Sequence, residues 1–245
     1  MASQREPIFN IPGVIVALIA SFVAVHLVRE YVLSDFDRDY FDAMFAFIPT
    51  RYDSTLLPDG ALPGGFGAEI WTFVTYAFIH GSWVHLGVNT IWFLPFGSAV
   101  ARRFGTARFL LFFVVTAAAG ALAHLMTHNG ENSAVIGASA AISGTMAGAM
   151  RFAFQRGGPL GFWRDNDAAA YHVPALPLVG VLRDPRVMLF LVVWLGINVI
   201  FGTASIPLSG ANEPVAWQAH IGGFVAGLLL FSLFDPDARR MSPST

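Results

Sequence analysis

Four polar side chains stand out in an apolar chain because their types and spacing permit nucleophilic catalysis. Ser139 follows Gly137 in the small-residue stretch "VIGASAAISGTMAG" at 135–148. His85 and Asn89 lie four residues apart in "HGSWVHLGVN", and His220 lies in "VAWQAHIGGFVAG". A serine hydroxyl becomes an effective nucleophile when a neutral imidazole accepts its proton. These residues therefore indicate a hydrolase that uses a serine and a histidine.

Each of the four residues has a role in that chemistry. His220 would act as the general base and would later protonate the leaving amine. The tetrahedral intermediate needs donors aimed at its oxyanion, and His85, Asn89 and the unpaired backbone N–H groups at the start of the helix that carries Ser139 could supply them. Asp and Glu are absent from the segments that carry these residues. We therefore expect a Ser–His dyad without a carboxylate third member.

The composition predicts a membrane protein that crosses the bilayer several times. Of 245 residues, 55% are hydrophobic and only 12% are charged, whereas about a quarter of a soluble domain is charged. The chain has no Cys, which excludes disulfides, thiolate nucleophiles and Cys-ligated metals. The net charge of −2 gives no reason to expect a nucleic-acid partner.

Six apolar segments are long enough, or nearly so, to span a bilayer as helices. They cover about 11–33, 82–101, 106–126, 139–154, 187–201 and 215–234. The fourth and fifth segments look short, which favours positions inside a helix bundle. We expect a membrane domain over 11–235, flanked by short tails at 1–10 and 236–245. The prediction is an all-α, six-helix bundle.

The basic residues, all of them Arg, orient these segments. With a cytoplasmic N-terminus, the inner side holds eleven of them: Arg5, Arg102, Arg103, Arg108, Arg151, Arg156, Arg164, Arg183, Arg186, Arg239 and Arg240. The outer side holds Arg29, Arg38 and Arg51. Cytoplasmic loops carry an excess of basic residues, so we expect both termini in the cytoplasm.

The outer connection at about 34–81 is long and mixes acidic with aromatic residues. Loops of this length usually carry structure or function, and Trp and Tyr favour the membrane interface. We expect this connection to be partly helical and to lie in the interface. The alternative is a disordered spacer, which fits the aromatic content poorly.

The predicted topology brings the four polar residues to a similar depth in the outer part of the membrane. Intramembrane polar residues are costly and are therefore functional candidates. Small residues let helices approach closely, and Gly144, Gly148, Gly223 and Gly227 follow Ser139 and His220 on their segments. General membrane packing would explain these glycines but not the polar residues beside them.

The sequence resembles the rhomboid intramembrane serine proteases over nearly the whole chain. "HGSWVHLGVN" is similar to the family's His-x4-His-x3-Asn signature, "GASAAISG" to its Gly-x-Ser-Gly region, and "AHIGGFVAG" to its Ala-His-x2-Gly-x3-Gly helix. The resemblance implies that Ser139 is the nucleophile and His220 the base, and that His85, Asn89 and the backbone N–H of Ser139 form the oxyanion hole. It also implies cleavage of transmembrane or membrane-adjacent segments of other proteins, without metal or cofactor, in a cavity open to the outer side.

Two positions depart from the family pattern. Ala140 stands where the family commonly has Gly, and Thr72 follows Trp71 where many relatives have Arg.

Two other functions stay open at this point: a catalytically inactive rhomboid-like protein that binds or escorts membrane proteins, and a small transporter with a polar relay. The chain's size favours a bacterial inner membrane, and the sequence does not reveal the natural substrate or the oligomeric state.

Overall fold

The computed structural model describes residues 11–56, 62–161, 168–203 and 215–238. In these ranges the regular structure is helical, apart from one isolated antiparallel bridge between Phe47 and Val135. The α-helices are α1 (Gly13–Tyr31), α2 (Asp35–Phe45), α3 (Gly65–Thr75), α4 (Trp83–Phe104), α5 (Thr106–Thr127), α6 (Ser139–Met150), α7 (Leu178–Arg183), α8 (Pro185–Thr203) and α9 (Trp217–Phe234).

The expected helical membrane fold is confirmed. Five of the described helices, α1, α4, α5, α8 and α9, are long and apolar enough to cross a membrane. The fourth predicted segment corresponds to α6, which has 12 residues and is therefore about 18 Å long. Three points stay predictions: the presence of six spans, the bounds of the membrane domain and the cytoplasmic location of both termini.

Helix α6 forms the centre of the bundle. Every residue from Ala140 to Met150 is buried, because α4, α5 and α9 pack around it. Its run of Ala, Gly and Ser lets these neighbours approach on several sides. A short helix in the interior is what the sequence predicted for this segment.

The prediction that the fifth segment is also short and interior is wrong. Helix α8 has 19 residues, and large apolar side chains such as Leu189 and Val192 are more than half exposed. Only one face, which includes Val187, Trp194 and Asn198, is buried. The segment is apolar all round because most of its surface faces outward in a chain that resides in lipid.

The connection at 34–81 is partly helical, as expected, and hydrogen bonds from its side chains stabilise its fold. The indole N–H of Trp71 donates to the carbonyl of Met44 at 3.0 Å. The Tyr52 hydroxyl donates to the carbonyl of Glu69 at 3.0 Å and lies 2.9 Å from Thr72 Oγ1, and burial raises the pKa of this hydroxyl. Thr72, at the position where relatives have Arg, thus takes part in a different anchor. The interfacial location of this connection stays a prediction.

A buried ion pair closes the end of the bundle opposite His85 and Ser139. Arg103, at the end of α4, donates to both carboxylate oxygens of Asp235 at 2.9 Å. Its remaining nitrogen donates to the carbonyls of Tyr171 and Val173 at 3.0 and 2.8 Å. The pair therefore joins the ends of α4 and α9 to the connection that precedes α7.

Candidate active site

The structure brings Ser139 and His220 into hydrogen-bond contact. Ser139 is the first residue of α6, and His220 lies in the first turn of α9. Their Oγ and Nε2 atoms are 2.7 Å apart across a sequence separation of 81 residues. Both side chains are half-buried, which leaves them in contact with the adjoining cavity. This is the geometry that proton transfer from a nucleophilic hydroxyl needs.

Two glycines on α9 make this contact possible. A Cβ atom built at Gly223 would lie 2.7 Å from the carbonyl carbon of Ala140 and would overlap its oxygen. A Cβ at Gly227 would lie 2.6 Å from the Cα of Gly144. The backbones of α6 and α9 therefore touch without intervening side chains.

The two predicted packing glycines on α6 differ from each other. A Cβ at Gly144 would lie 2.5 Å from the side chain of Thr116 on α5, so this glycine is needed for close packing. A Cβ at Gly148 would find its nearest neighbour, Phe112, at 3.4 Å, which is an ordinary contact distance. Gly148 therefore does not bring helices together in the way that Gly144 does.

The neighbouring serine on α6 is engaged elsewhere. Ser143 Oγ donates to the backbone carbonyl of Ser139 at 2.8 Å, as hydroxyls inside helices often do. The side chain of Ser143 is also buried, at 3% exposure. Of the two hydroxyls, that of Ser139 is the one poised against an imidazole.

His85 directs its Nε2 atom toward the turn that precedes Ser139. The backbone N–H of Gly81 donates to His85 Nδ1 at 3.4 Å, so the ring proton resides on Nε2. Gly137 has a φ of +112°, and a Cβ there would lie 2.6 Å from that Nε2 atom. Glycine at this position thus serves both the left-handed backbone and the close approach of the imidazole.

Asn89 lies one turn along the same face of α4. Its Nδ2 donates to the backbone carbonyl of His85 at 2.9 Å, and this fixes the orientation of the amide. The amide carries a second hydrogen, and Asn89 lines the same cavity as Ser139. The backbone adds donors, because Ala138 caps α6 without a side-chain acceptor and the first-turn N–H groups have no partner within the helix.

These groups surround one cavity of about 220 Å³ between α4, α6, α8 and α9. Its walls are largely apolar and include Trp92, Trp194 and Phe201. A nucleophile, a base and several convergent donors therefore face a common space, which is the arrangement that acyl transfer requires. Among the described residues, no group of three or more His, Cys, Asp or Glu side chains could hold a metal ion.

Sequence reasoning missed one polar residue of this site. His220 Nδ1 forms a short hydrogen bond with Oδ1 of Asn198 on α8. The expectation of a Ser–His dyad rested on the absence of Asp and Glu from the second, fourth and sixth segments. Asn198 is an amide and lies on the fifth segment. A single Asn within the apolar run "LVVWLGINVIF" was a usable signal, because intramembrane polar residues are functional candidates.

Known proteins that are similar to this chain belong to one family. A family model described as Rhomboid domain matches residues 67–235. The chain is 26% identical over 164 residues to rhomboid protease GlpG from Yersinia pseudotuberculosis, covering 66% of this chain and 47% of the relative. The same coverage of this chain and the same identity hold for rhomboid protease GlpG from Klebsiella pneumoniae, of which 48% is covered.

A shorter match has a higher identity. The Haemophilus influenzae rhomboid protease GlpG is 33% identical over 51 residues, which is 21% of this chain and 27% of that protein. The chain spans about half the length of the longer-matching relatives.

Proposed function

The chain belongs to the rhomboid family, and from this premise we propose that it is an intramembrane serine endopeptidase with Ser139 as nucleophile and His220 as general base. The observation that carries the proposal is the 2.7 Å contact between Ser139 Oγ and His220 Nε2 at the edge of an apolar cavity. The match of the Rhomboid domain model and the name shared by the relatives support the same activity.

The reaction proceeds through an acyl-enzyme. Ser139 Oγ attacks the carbonyl carbon of the scissile bond while its proton passes to His220 Nε2. The intermediate then collapses, the C–N bond breaks, and Nε2 returns the proton to the leaving amine. A water molecule attacks the resulting ester, gives one proton to His220 and releases the carboxylic acid. The proton on His220 finally returns to Ser139.

The oxyanion is stabilised from two helices. The Nε2–H of His85 and the second Nδ2 hydrogen of Asn89 act from α4, and the backbone N–H of Ser139 acts from the start of α6. These donors are fixed before substrate arrives, because the backbone contacts of Gly81 and His85 orient both side chains. Donors that are preorganised in a poorly solvated site contribute more than the same donors in water.

The substrates are other membrane proteins, cut in or near a transmembrane segment. The supporting observations are the five described helices long and apolar enough to cross a membrane and the apolar lining of the cavity between α4, α6, α8 and α9. The protein is an integral membrane protein, and because the relatives are bacterial we propose the bacterial inner membrane as its location. The reaction needs no cofactor, since the side chains supply nucleophile, base and donors.

The test is cleavage of a panel of single-span membrane proteins by the purified full-length chain in liposomes. Wild type should cleave at least one of them, and Ser139→Ala should cleave none while unfolding at the same temperature. Ser143→Ala is the matched control on the next turn of α6 and should keep most of the activity. Binding of these substrates without cleavage by wild type would favour the non-catalytic alternative.

A further inference from the structure

We propose that Asn198 is a positioning residue for His220, which it holds in the one neutral tautomer able to accept the proton of Ser139. The inference rests on the proposed function of this site and adds a third residue, from α8, to the Ser–His pair. It requires no carboxylate.

The amide of Asn198 has only one consistent orientation. Its Nδ2 donates to the backbone carbonyl of Trp194 at 2.8 Å. A carbonyl oxygen can only accept, so exchanging the two ends of the amide would place two acceptors against each other. Oδ1 is therefore the atom that faces the imidazole of His220.

This orientation determines where the imidazole carries its proton. Because Oδ1 only accepts, His220 Nδ1 must donate to it. A neutral imidazole has one N–H, so Nε2 is left with a free lone pair. That lone pair faces Ser139 Oγ at 2.7 Å. Deprotonation of Ser139 depends on this tautomer, as in triads whose third residue holds the base.

The place of Asn198 in the fold supports a specific role. It is one of the few buried residues of a helix whose other side chains are mostly exposed. Next to it on the same face, the ring of Trp194 stacks on Phe224 of α9 with centroids 4.7 Å apart. The amide thus sits where α8 meets α9, fixed by its own helix and directed at the base.

A small covalent reagent separates this role from general packing. A fluorophosphonate forms a phosphorus–oxygen bond with the nucleophilic serine, fluoride leaves, and the serine proton passes to the base, with no transmembrane segment to dock. Asn198→Leu keeps the size of the side chain but removes the acceptor, and Asn198→Asp keeps an acceptor. Val193→Ala is the control, because Val193 also lies on α8 but is 52% exposed and does not line the cavity.

We expect Asn198→Leu to slow labelling of Ser139 roughly 10- to 100-fold, the effect known from partners that orient metal-binding imidazoles. Asn198→Asp should recover most of the rate, and Val193→Ala should label like wild type. With a cleavable membrane substrate, Asn198→Leu should lower kcat by a similar factor and leave KM nearly unchanged.

Wild-type labelling rates in Asn198→Leu would overturn the inference, as would equal losses in the Leu and Asp variants. Nitrogen NMR of the wild-type imidazole tests the same point without any variant. A proton on Nδ1 of His220 supports the inference, and a proton on Nε2 overturns it. Absence of Ser139-dependent labelling in wild type is a different result, since it refutes the proposed function itself.

Discussion

Replacing Gly223 by alanine tests whether the backbone contact between α6 and α9 sets the geometry of catalysis. The new Cβ would lie 2.7 Å from the carbonyl carbon of Ala140, whereas ordinary contact begins at 3.4 Å. The opposing atoms belong to backbone, so no change of rotamer can relieve the overlap. The carbonyl oxygen of Ala140 would lie closer still, so the two helices must separate by more than about 0.7 Å at this level.

That displacement acts close to the catalytic pair. Ser139 directly precedes Ala140, and His220 lies three residues before Gly223. Separation by about 0.7 Å stretches the 2.7 Å contact between Oγ and Nε2 to the limit of a hydrogen bond. A misplacement of about 1 Å can cost 10²-fold in rate. Overpacking a core costs about 1–3 kcal/mol of folding free energy.

The assay measures kcat and the unfolding temperature of Gly223→Ala in the same detergent. Gly148→Ala is the matched control, because it adds the same methyl group to α6 at ordinary contact distances, 3.4 Å from Phe112 on α5 and 3.5 Å from Phe231 on α9. Alanine is also the better helix former by about 1 kcal/mol. We expect Gly148→Ala to be fully active and at least as stable as wild type.

The expected result for Gly223→Ala is a roughly 10²-fold loss of kcat in a folded protein. Equal activity of the two variants would refute the reasoning, because it would mean that α6 and α9 can separate without disturbing the pair. An unfolded Gly223→Ala variant would show that the contact is needed for folding, and Gly223→Ser, with a similar small side chain, would then be expected to fail in the same way.

Three further predictions concern the pair, the oxyanion donors and the anchored connection. His220→Ala should be as inactive as Ser139→Ala, and the double variant should lose little more, because residues that act as a unit are not additive; substantial activity in His220→Ala would contradict the dyad. Asn89→Ala should lower kcat about 10²- to 10³-fold with little change in KM, as expected for one oxyanion donor. His85→Ala should cost more, since its ring also fills space beside Ser139, and unchanged kinetics in both variants would make them structural. Tyr52→Phe should lower the free energy of unfolding by about 1 kcal/mol through loss of a hydrogen bond, measured by denaturation in detergent, and no change would show that this anchor is dispensable.

The site residues that could be predicted from the sequence are those that depart from one strong rule, namely that segments embedded in lipid are apolar. Ser139, His85, Asn89 and His220 are polar residues where lipid favours apolar ones, and the predicted topology puts them at one depth on three segments. The structure brings Ser139 and His220 together as expected. Asn198 breaks the same rule but stands alone in its segment, and no spacing pattern connected it to the others.

Other features depend on tertiary contacts that no local pattern contains. In the sequence, Arg103 indicated only which segment ends lie on the inner side of the membrane. In the structure it pairs with Asp235, which is 132 residues away in the chain. The exposure of α8 also could not be inferred, because a uniformly apolar helix is equally compatible with the centre of a bundle and with its lipid-facing rim. Length indicated the interior for α6 but misled for α8, which has 19 residues and is mostly exposed.

The buried ion pair has a consequence for the biosynthesis of the protein. During synthesis, α4 enters the membrane long before α9, so Arg103 lacks its carboxylate until the last of the described helices is made. In a folded protein, removing one partner of such a pair costs about 3–5 kcal/mol, so a bundle that lacks Asp235 lacks this stabilisation. His220 lies on the same helix. The part of the chain that completes the ion pair therefore also supplies the proposed base, and a chain that ends before α9 lacks both.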